Sequence, residues 1–295
     1  MELEDTTSGG VSEASPPVGW LIMACVVDSC AQVPRIGPMN QTDDRLIAVV
    51  SAYAAVFEDL AAATTGRSRR GPQGSVLAIT GAPIAALNAI ISPSLEPSAE
   101  EITALAPTES PWELPWSIHV RGIPGPLVTE AAALHGLTHF EREPLMVRRS
   151  DQGLPTEPVA GGLRVRVVGV DELALYAKTV ADGFEAPHEL FQVLADPSLG
   201  RIDGITFYLA ELDGVPVGTG MTATCGDLTG LFNITTLPGH RRRGYGRALT
   251  LEMIRAGFAA GAGTAYLYAS KLGEPLYAAL GFRTEEYLTV ITAPA

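Results

Sequence analysis

Basic residues are scarce in this chain: 20 Lys and Arg stand against 33 Asp and Glu, a formal net charge of −13. A nucleic-acid partner is thereby disfavoured, since duplexes and single strands are held by many phosphate contacts from a basic face. Cysteine is scarce too. Cys25, Cys30 and Cys225 make no even framework and no metal-ligand spacing, so they read as buried thiols of a reducing compartment. The apolar run WLIMACVV, beginning at Trp20, is far too short to span a bilayer. The opening stretch MELEDTTSGGVSEASPP, residues 1–17, lacks the basic start of a signal peptide and reads as an acidic, disordered tail. The expectation is a soluble, cytoplasmic protein with no nucleic-acid and no membrane partner.

What is present is enough apolar content, 46% of 295 residues, to bury a sizeable core, at a length that favours two domains. The Pro/Gly-rich polar segment RRSDQGLPTEPVAGG, from Arg148, has no periodicity to bury and marks a linker at residues 151–162. It separates domains expected at residues 18–150 and 163–295. The halves also resemble each other. VLAITGAPIAAL from Val76 matches YLAELDGVPVGT from Tyr208, aligning Gly81 with Gly214 at an offset of 133. ALHGLTHFEREPLMV from Ala133 matches AALGFRTEEYLTVI from Ala278, aligning Gly136 with Gly281 at an offset of 145. The first half is thus expected to be shorter between its landmarks.

In the second half, LRVRVVGV from Leu163 alternates as a strand, and DELALYAKTVADGF from Asp171 has the cap and apolar stripe of a helix. A short helix at PHELFQVLAD follows, then a hairpin turning at Asp213-Gly214 and a third strand, LTGLFNITT. From Gly244 a helix places Leu249, Met253, Ala256 and Ala260 on one stripe and ends at Gly261. TAYLYAS is a strand, EPLYAAL a short helix closed by Gly281, and LTVIT a final strand. The fold class is therefore a mixed α/β sheet with helices on its faces.

At the strand-to-helix junction lies LPGHRRRGYGRALT, from Leu237. Gly244 and Gly246 lack the Cβ that would keep a ligand off the main chain, and the helix start offers unpaired N–H groups at the positive end of its dipole. Arg241, Arg242, Arg243 and Arg247 add positive charge and bidentate donors. Those are the needs of a pyrophosphate.

The stretch TLPGHRRRGYGRAL resembles the acyl-CoA-binding motif of the GNAT acetyltransferase superfamily, (Gln/Arg)-x-x-Gly-x-(Gly/Ala), filled here by Arg241, Gly244 and Gly246. EPLYAALGF resembles the family's second signature, a Tyr in a short helix before Gly-Phe. The resemblance implies two GNAT-like acyl-CoA N-acyltransferase domains in tandem, the first degenerate. It implies acetyl-CoA as co-substrate and no metal. Loop amides from Arg241 to Arg247, including Tyr245, would cradle the pyrophosphate, and the main chain of Ile234, Thr235 and Thr236 would pair with pantetheine. An amine, in a small molecule or a peptide, would attack the thioester directly, with Tyr277 as acid for the departing thiolate. A base is not found: LTGLFNITT has no carboxylate, and Asp227, Glu185, His188 and Glu189 are the alternatives, with a water chain. A non-catalytic CoA-binding or partner-binding protein is the rival reading, and a monomer with an internal pseudo-dimer or a homodimer are both open.

Competing signals are weaker. His135 and His139 have helical metal-pair spacing but no acidic residue between them of the H-E-x-x-H kind, and Gly136 suggests a helix end. GTGMTA from Gly218 matches a dinucleotide fingerprint inside a strand rather than at a turn. TTGRSRRGPQGS is expected to be a surface loop, because Pro72 removes an N–H a phosphate nest would need. The first half carries no Arg-x-x-Gly-x-Gly, has Ala132 where the second has Tyr277, and holds the acidic, Pro-broken SPSLEPSAEEITALAPTESPW. It is expected to bind no CoA and to help shape the acceptor side.

Overall fold

The computed structural model describes residues 45–107, 114–155 and 161–294; the tail, Cys25, Cys30 and the run from Trp20 lie outside them. In chain order come α1 (Arg45–Ala63), β1 (Arg67–Arg70), β2 (Val76–Ile79), β3 (Asn88–Ser92), α2 (Ala99–Leu105), β4 (Ser117–Arg121), α3 (Pro126–Ala133) and β5 (His139–Arg149). Then follow β6 (Leu163–Val167), α4 (Leu173–Phe184), β7 (Ile205–Leu212), β8 (Val215–Cys225), β9 (Leu228–Thr236), α5 (Tyr245–Ala259), β10 (Thr264–Tyr268), α6 (Glu274–Ala279) and β11 (Arg283–Thr292). Short 3₁₀ turns join several of them, and PHELFQVLAD forms one over His188–Ala195.

The eleven strands of the described residues form one mixed sheet in the order β1-β2-β3-β4-β11-β5-β10-β9-β8-β7-β6. With β6 set aside at its edge, β1 to β4 run inward from one side as β7 to β10 do from the other, with β11 beside β4 and β5 beside β10 between them. β11 lies between β4 and β5, and β5 lies between β11 and β10. The β3–β4 and β9–β10 pairs are parallel, and the neighbouring strand pairs are antiparallel. This order corrects one landmark. Gly81 lies in the β2–β3 connection, whose counterpart is the β8–β9 turn at Gly226, not the β7–β8 turn at Gly214. The inferred shortening of the first half, which rested on Gly214, loses its basis.

Residue alternation splits the core by sheet face. Val76 and Ala78 pack with α1 and α4, while Leu77 and Ile79 pack with α2 and α3; Phe232 joins the first cluster and Leu231 the α5–α6 cluster. The helices α1 and α4 therefore cover one face and α2, α3, α5 and α6 the other. The sequence of α1, RLIAVVSAYAAVFEDLAAA, is apolar on all sides, and a window within it has a mean hydropathy of 1.7. It is a core helix, with Tyr53, Phe57 and Leu60 at most 1% exposed.

Two local expectations change. Arg67–Arg70 is an edge strand rather than a loop, its exposed arginines facing solvent where a bare edge would invite pairing. Cys225 is disulfide-bonded rather than a free thiol. The Asp213-Gly214 turn is as expected, with φ of 50° and 80°.

Candidate active site

The site begins where two parallel strands part. Pairing between β9 and β10 ends at Gly230 and Tyr266, while β9 runs on to Thr236 with only β8 beside it. Opposite Gly220 of β8 sit two β9 residues, Asn233 and Ile234, and Asn233 takes φ 51°. This bulge turns the main chain toward the gap. The other parallel pair of the sheet, β3 and β4, does not part in this way. β3 and β4 stay paired to Ser92 and Val120, and buried Arg121 donates to the Pro93 carbonyl at 3.0 Å. Arg121 also grips Glu286 of β11 through both carboxylate oxygens at 2.7 Å.

Beyond Thr236 the chain makes a short turn at Pro238–His240 and enters α5 through Arg242, at φ 63°, and Gly244, at φ 83°. Gly244 is the residue for which that conformation carries no Cβ penalty. A Cβ on Gly246 would come within 3.3 Å of Thr236 Oγ1, so its absence also lets the helix start lie against the end of β9. The amides of Tyr245, Gly246 and Arg247 stand in the first turn of a 15-residue helix, with no carbonyl behind them within it. Arg242 and Arg243 are exposed on the loop. Arg241 is committed to the protein: it donates to Thr236 O at 3.1 Å and Gly183 O at 2.9 Å and pairs with Glu185 at 2.8 Å. These bonds fix the shape of the loop. Arg247 reaches the Ala279 carbonyl at 3.3 Å, tying α5 to α6.

The parted strands open a cleft of about 90 Å³. Leu231, Phe232, Asn233, Ile234, Leu267, Tyr268, Ser270 and Tyr277 line it, joined by Phe184 of α4, Tyr53 of α1 and Glu143 of β5. Tyr277 is buried, and desolvation holds its hydroxyl well above the usual phenol range, so it keeps its proton at neutral pH. Asn233 Nδ2 and the Tyr268 hydroxyl are buried without a hydrogen-bond partner. Two unspent polar groups in one cleft are what a ligand would satisfy.

Glu143 and Tyr53 escaped the sequence reading. Glu143 begins the buried run of β5 and is 5% exposed. Burial, reinforced by Glu141, pushes its carboxyl up to about 8. Its only sequence signal is an acid heading an apolar strand segment. The alternatives considered from sequence lie elsewhere. Glu185, His188 and Glu189 are exposed, with His188 held by Asp182 at 2.7 Å. Asp227 accepts from the Gly263 amide at 2.9 Å at the opposite end of β9. His135 packs against Trp116, and among the described residues no group of three or more His, Cys, Asp or Glu could hold a metal ion.

The sequence pattern of the Acetyltransferase (GNAT) family matches residues 174–282, which include the parted strands, the loop and Tyr277. No curated protein matches the chain. Among solved structures, a GCN5-related N-acetyltransferase from Kribbella flavida is similar at 19% identity and a TM-score of 0.63, over 85% of this chain and 96% of that one. A functionally unknown conserved protein from Staphylococcus epidermidis is similar at 14% identity and a TM-score of 0.56, over 77% and 94%. These likenesses establish a single mixed α/β GNAT-like fold that extends well beyond the segment matched by the family pattern. What the chain shares with the GNAT acetyltransferases is thus the family's sequence pattern over residues 174–282 and the fold.

Proposed function

We propose that the protein is an acetyl-CoA-dependent N-acetyltransferase that passes the acetyl group to a primary amine by direct attack in a ternary complex. The observation that carries this reading is the opening between β9 and β10 beside a glycine-bearing helix start. Amides at Tyr245, Gly246 and Arg247, with Arg242 and Arg243 around them, suit a pyrophosphate. The edge of β9 from Ile234 to Thr236 suits the amide-bearing arm of CoA, and the bulge at Asn233 offers donors to the thioester carbonyl. Tyr277, kept protonated by burial, suits the role of acid for the departing thiolate. The rival, a non-catalytic CoA-binding protein, is disfavoured by a cleft that holds an acid and a carboxylate together.

On this reading residues 18–150 and 163–295 are one GNAT-like pattern used twice, with the first half degenerate. The matching strand order, the unparted β3–β4 pair and the seven-residue α2 in place of the longer α5 support it. Calorimetric titration tests the cofactor assignment: Gly244→Asp, placing a negative charge at the helix start, should weaken CoA by about tenfold or more. Unchanged affinity would exclude this loop as the cradle.

A further inference from the structure

Around the acceptor end of the cleft, the first half supplies what the second lacks. Tyr53 stands edge-on to Tyr268 at 4.6 Å between ring centroids and stacks with Phe232 at 6.5 Å. Its hydroxyl meets His119 Nδ1 at 3.1 Å, and His119 Nε2 meets Ser117 Oγ at 2.9 Å. Ser117 Oγ donates onward to the Ala85 carbonyl at 3.0 Å. With its proton spent there, Ser117 can only accept from His119, so the imidazole carries hydrogen on Nε2 and its bare Nδ1 takes the Tyr53 proton. Burial keeps this imidazole neutral, lowering it to about 3. The chain thus points the Tyr53 proton away from the cleft and leaves an oxygen lone pair facing it. Among the described lining residues, Glu143 is the one that carries a carboxyl group.

We infer that Glu143 is the general base and, with the Tyr53 oxygen, forms a wall of acceptors that selects a small amine bearing one positive charge on an apolar, preferably aromatic, body. A single carboxylate among aromatic faces suits one ammonium group and offers nothing to a second charge or to an anion. This rests on the acetyltransferase reading. In the reaction the ammonium loses a proton to the Glu143 carboxylate, and the freed nitrogen pair forms the C–N bond at the thioester carbon. The C–S bond then breaks, sulfur takes a proton from Tyr277, and the second nitrogen proton returns to Tyr277 through solvent. One proton is released overall, from Glu143. The titratable groups around this base are Glu141 on its own strand, flanked by His139 and Lys271, with Tyr53, Tyr268 and the Arg121–Glu286 pair on the packed elements.

The test measures CoA-thiol release from acetyl-CoA with 2-phenylethylamine, spermidine, glutamate and kanamycin, beside calorimetry with CoA. Expected is a kcat/KM for 2-phenylethylamine at least about tenfold above the others, corresponding to about 1.4 kcal/mol. Glu143→Gln should lower kcat on the order of a hundredfold and abolish the rise of rate toward pH 8, with CoA affinity within twofold of the parent. Tyr53→Phe should raise the KM for amine more than it lowers kcat. Preference for the polycations or the amino acid, or a Glu143→Gln enzyme with an unchanged pH profile, overturns the inference while leaving the acetyltransferase reading intact. Loss of CoA binding in Glu143→Gln would make the residue structural and also overturns it. A parent chain that binds no CoA overturns both.

Discussion

At the scale of single residues, the cleft keeps two ionisable groups protonated at neutral pH for one physical reason, the loss of water. Tyr277 is the simpler case. In the proposed reaction its hydroxyl would act on the leaving sulfur rather than on bound cofactor, so Tyr277→Phe should cut kcat by roughly a hundredfold and leave the CoA Kd within twofold. Steady-state rates with calorimetry check it, and a kcat within twofold of the parent would make Tyr277 a packing residue beside Phe282. Glu143 adds a cost in stability. Its folded value of about 8 lies above the 4.5 of an unfolded carboxyl. The folded chain therefore holds that proton more tightly, and the group's contribution is complete below about pH 4.5 and lost as pH rises through 8. Urea unfolding at pH 5 and pH 9 should show Glu143→Gln gaining on the parent as pH rises. Tyr277 was legible in the sequence because its short helix and Gly281 are neighbours along the chain. Glu143 was not, because nothing local tells a buried strand acid from an exposed one.

At the scale of elements, the pieces that local rules specify are the ones the sequence disclosed: the Asp213-Gly214 hairpin, α5 from Tyr245 to its Gly261 stop, and the short α6. The misaligned landmark at Gly214 shows the limit. A Gly turn between two short strands looks alike in consecutive hairpins, and only pairing order tells them apart. Pairing order also explains how α6 is held. Arg148 of β5 is buried and donates to the Leu280 carbonyl at the end of α6 and to the Gly153 carbonyl. A cation at a helix C-terminus satisfies carbonyls the helix leaves open. Arg148→Met keeps the apolar stem but removes both donors. It should cost about 1.5–3 kcal/mol in urea unfolding, and by loosening the helix that carries Tyr277 it should lower kcat without weakening CoA. Arg148→Lys, retaining the charge, should recover part of both losses. Equal stability of Arg148→Met and the parent would show that the cap contributes nothing.

At the scale of the whole molecule, the decisive feature is that β5 and β11 each pair only with strands from the other half of the chain. β11 makes its long antiparallel ladder with β5 and its other edge pairs with β4, while β5 on its far side pairs with β10. Neither half can complete a sheet by itself. A fragment starting at Gly161 would leave β11 without either neighbour and β10 with one side bare, opening three strand edges and the apolar face under Tyr53 and Phe57 to water. Among the described residues, sheet pairing stops at Arg149 and resumes at Leu163, so a cut between Pro155 and Gly161 severs none of it. Cleavage there should accordingly be tolerated where truncation is not. Expressed alone, residues 161–295 should aggregate or show no cooperative thermal transition; expressed together with residues 1–155, they should copurify as a one-to-one complex that melts cooperatively and binds CoA. Size-exclusion chromatography and calorimetry would read both arms. A soluble, cooperatively folding 161–295 fragment with parental CoA affinity would mean that the second half can restore its own sheet by drawing β11 back beside β10. This cross-pairing would then be an arrangement the halves adopt together rather than one they require.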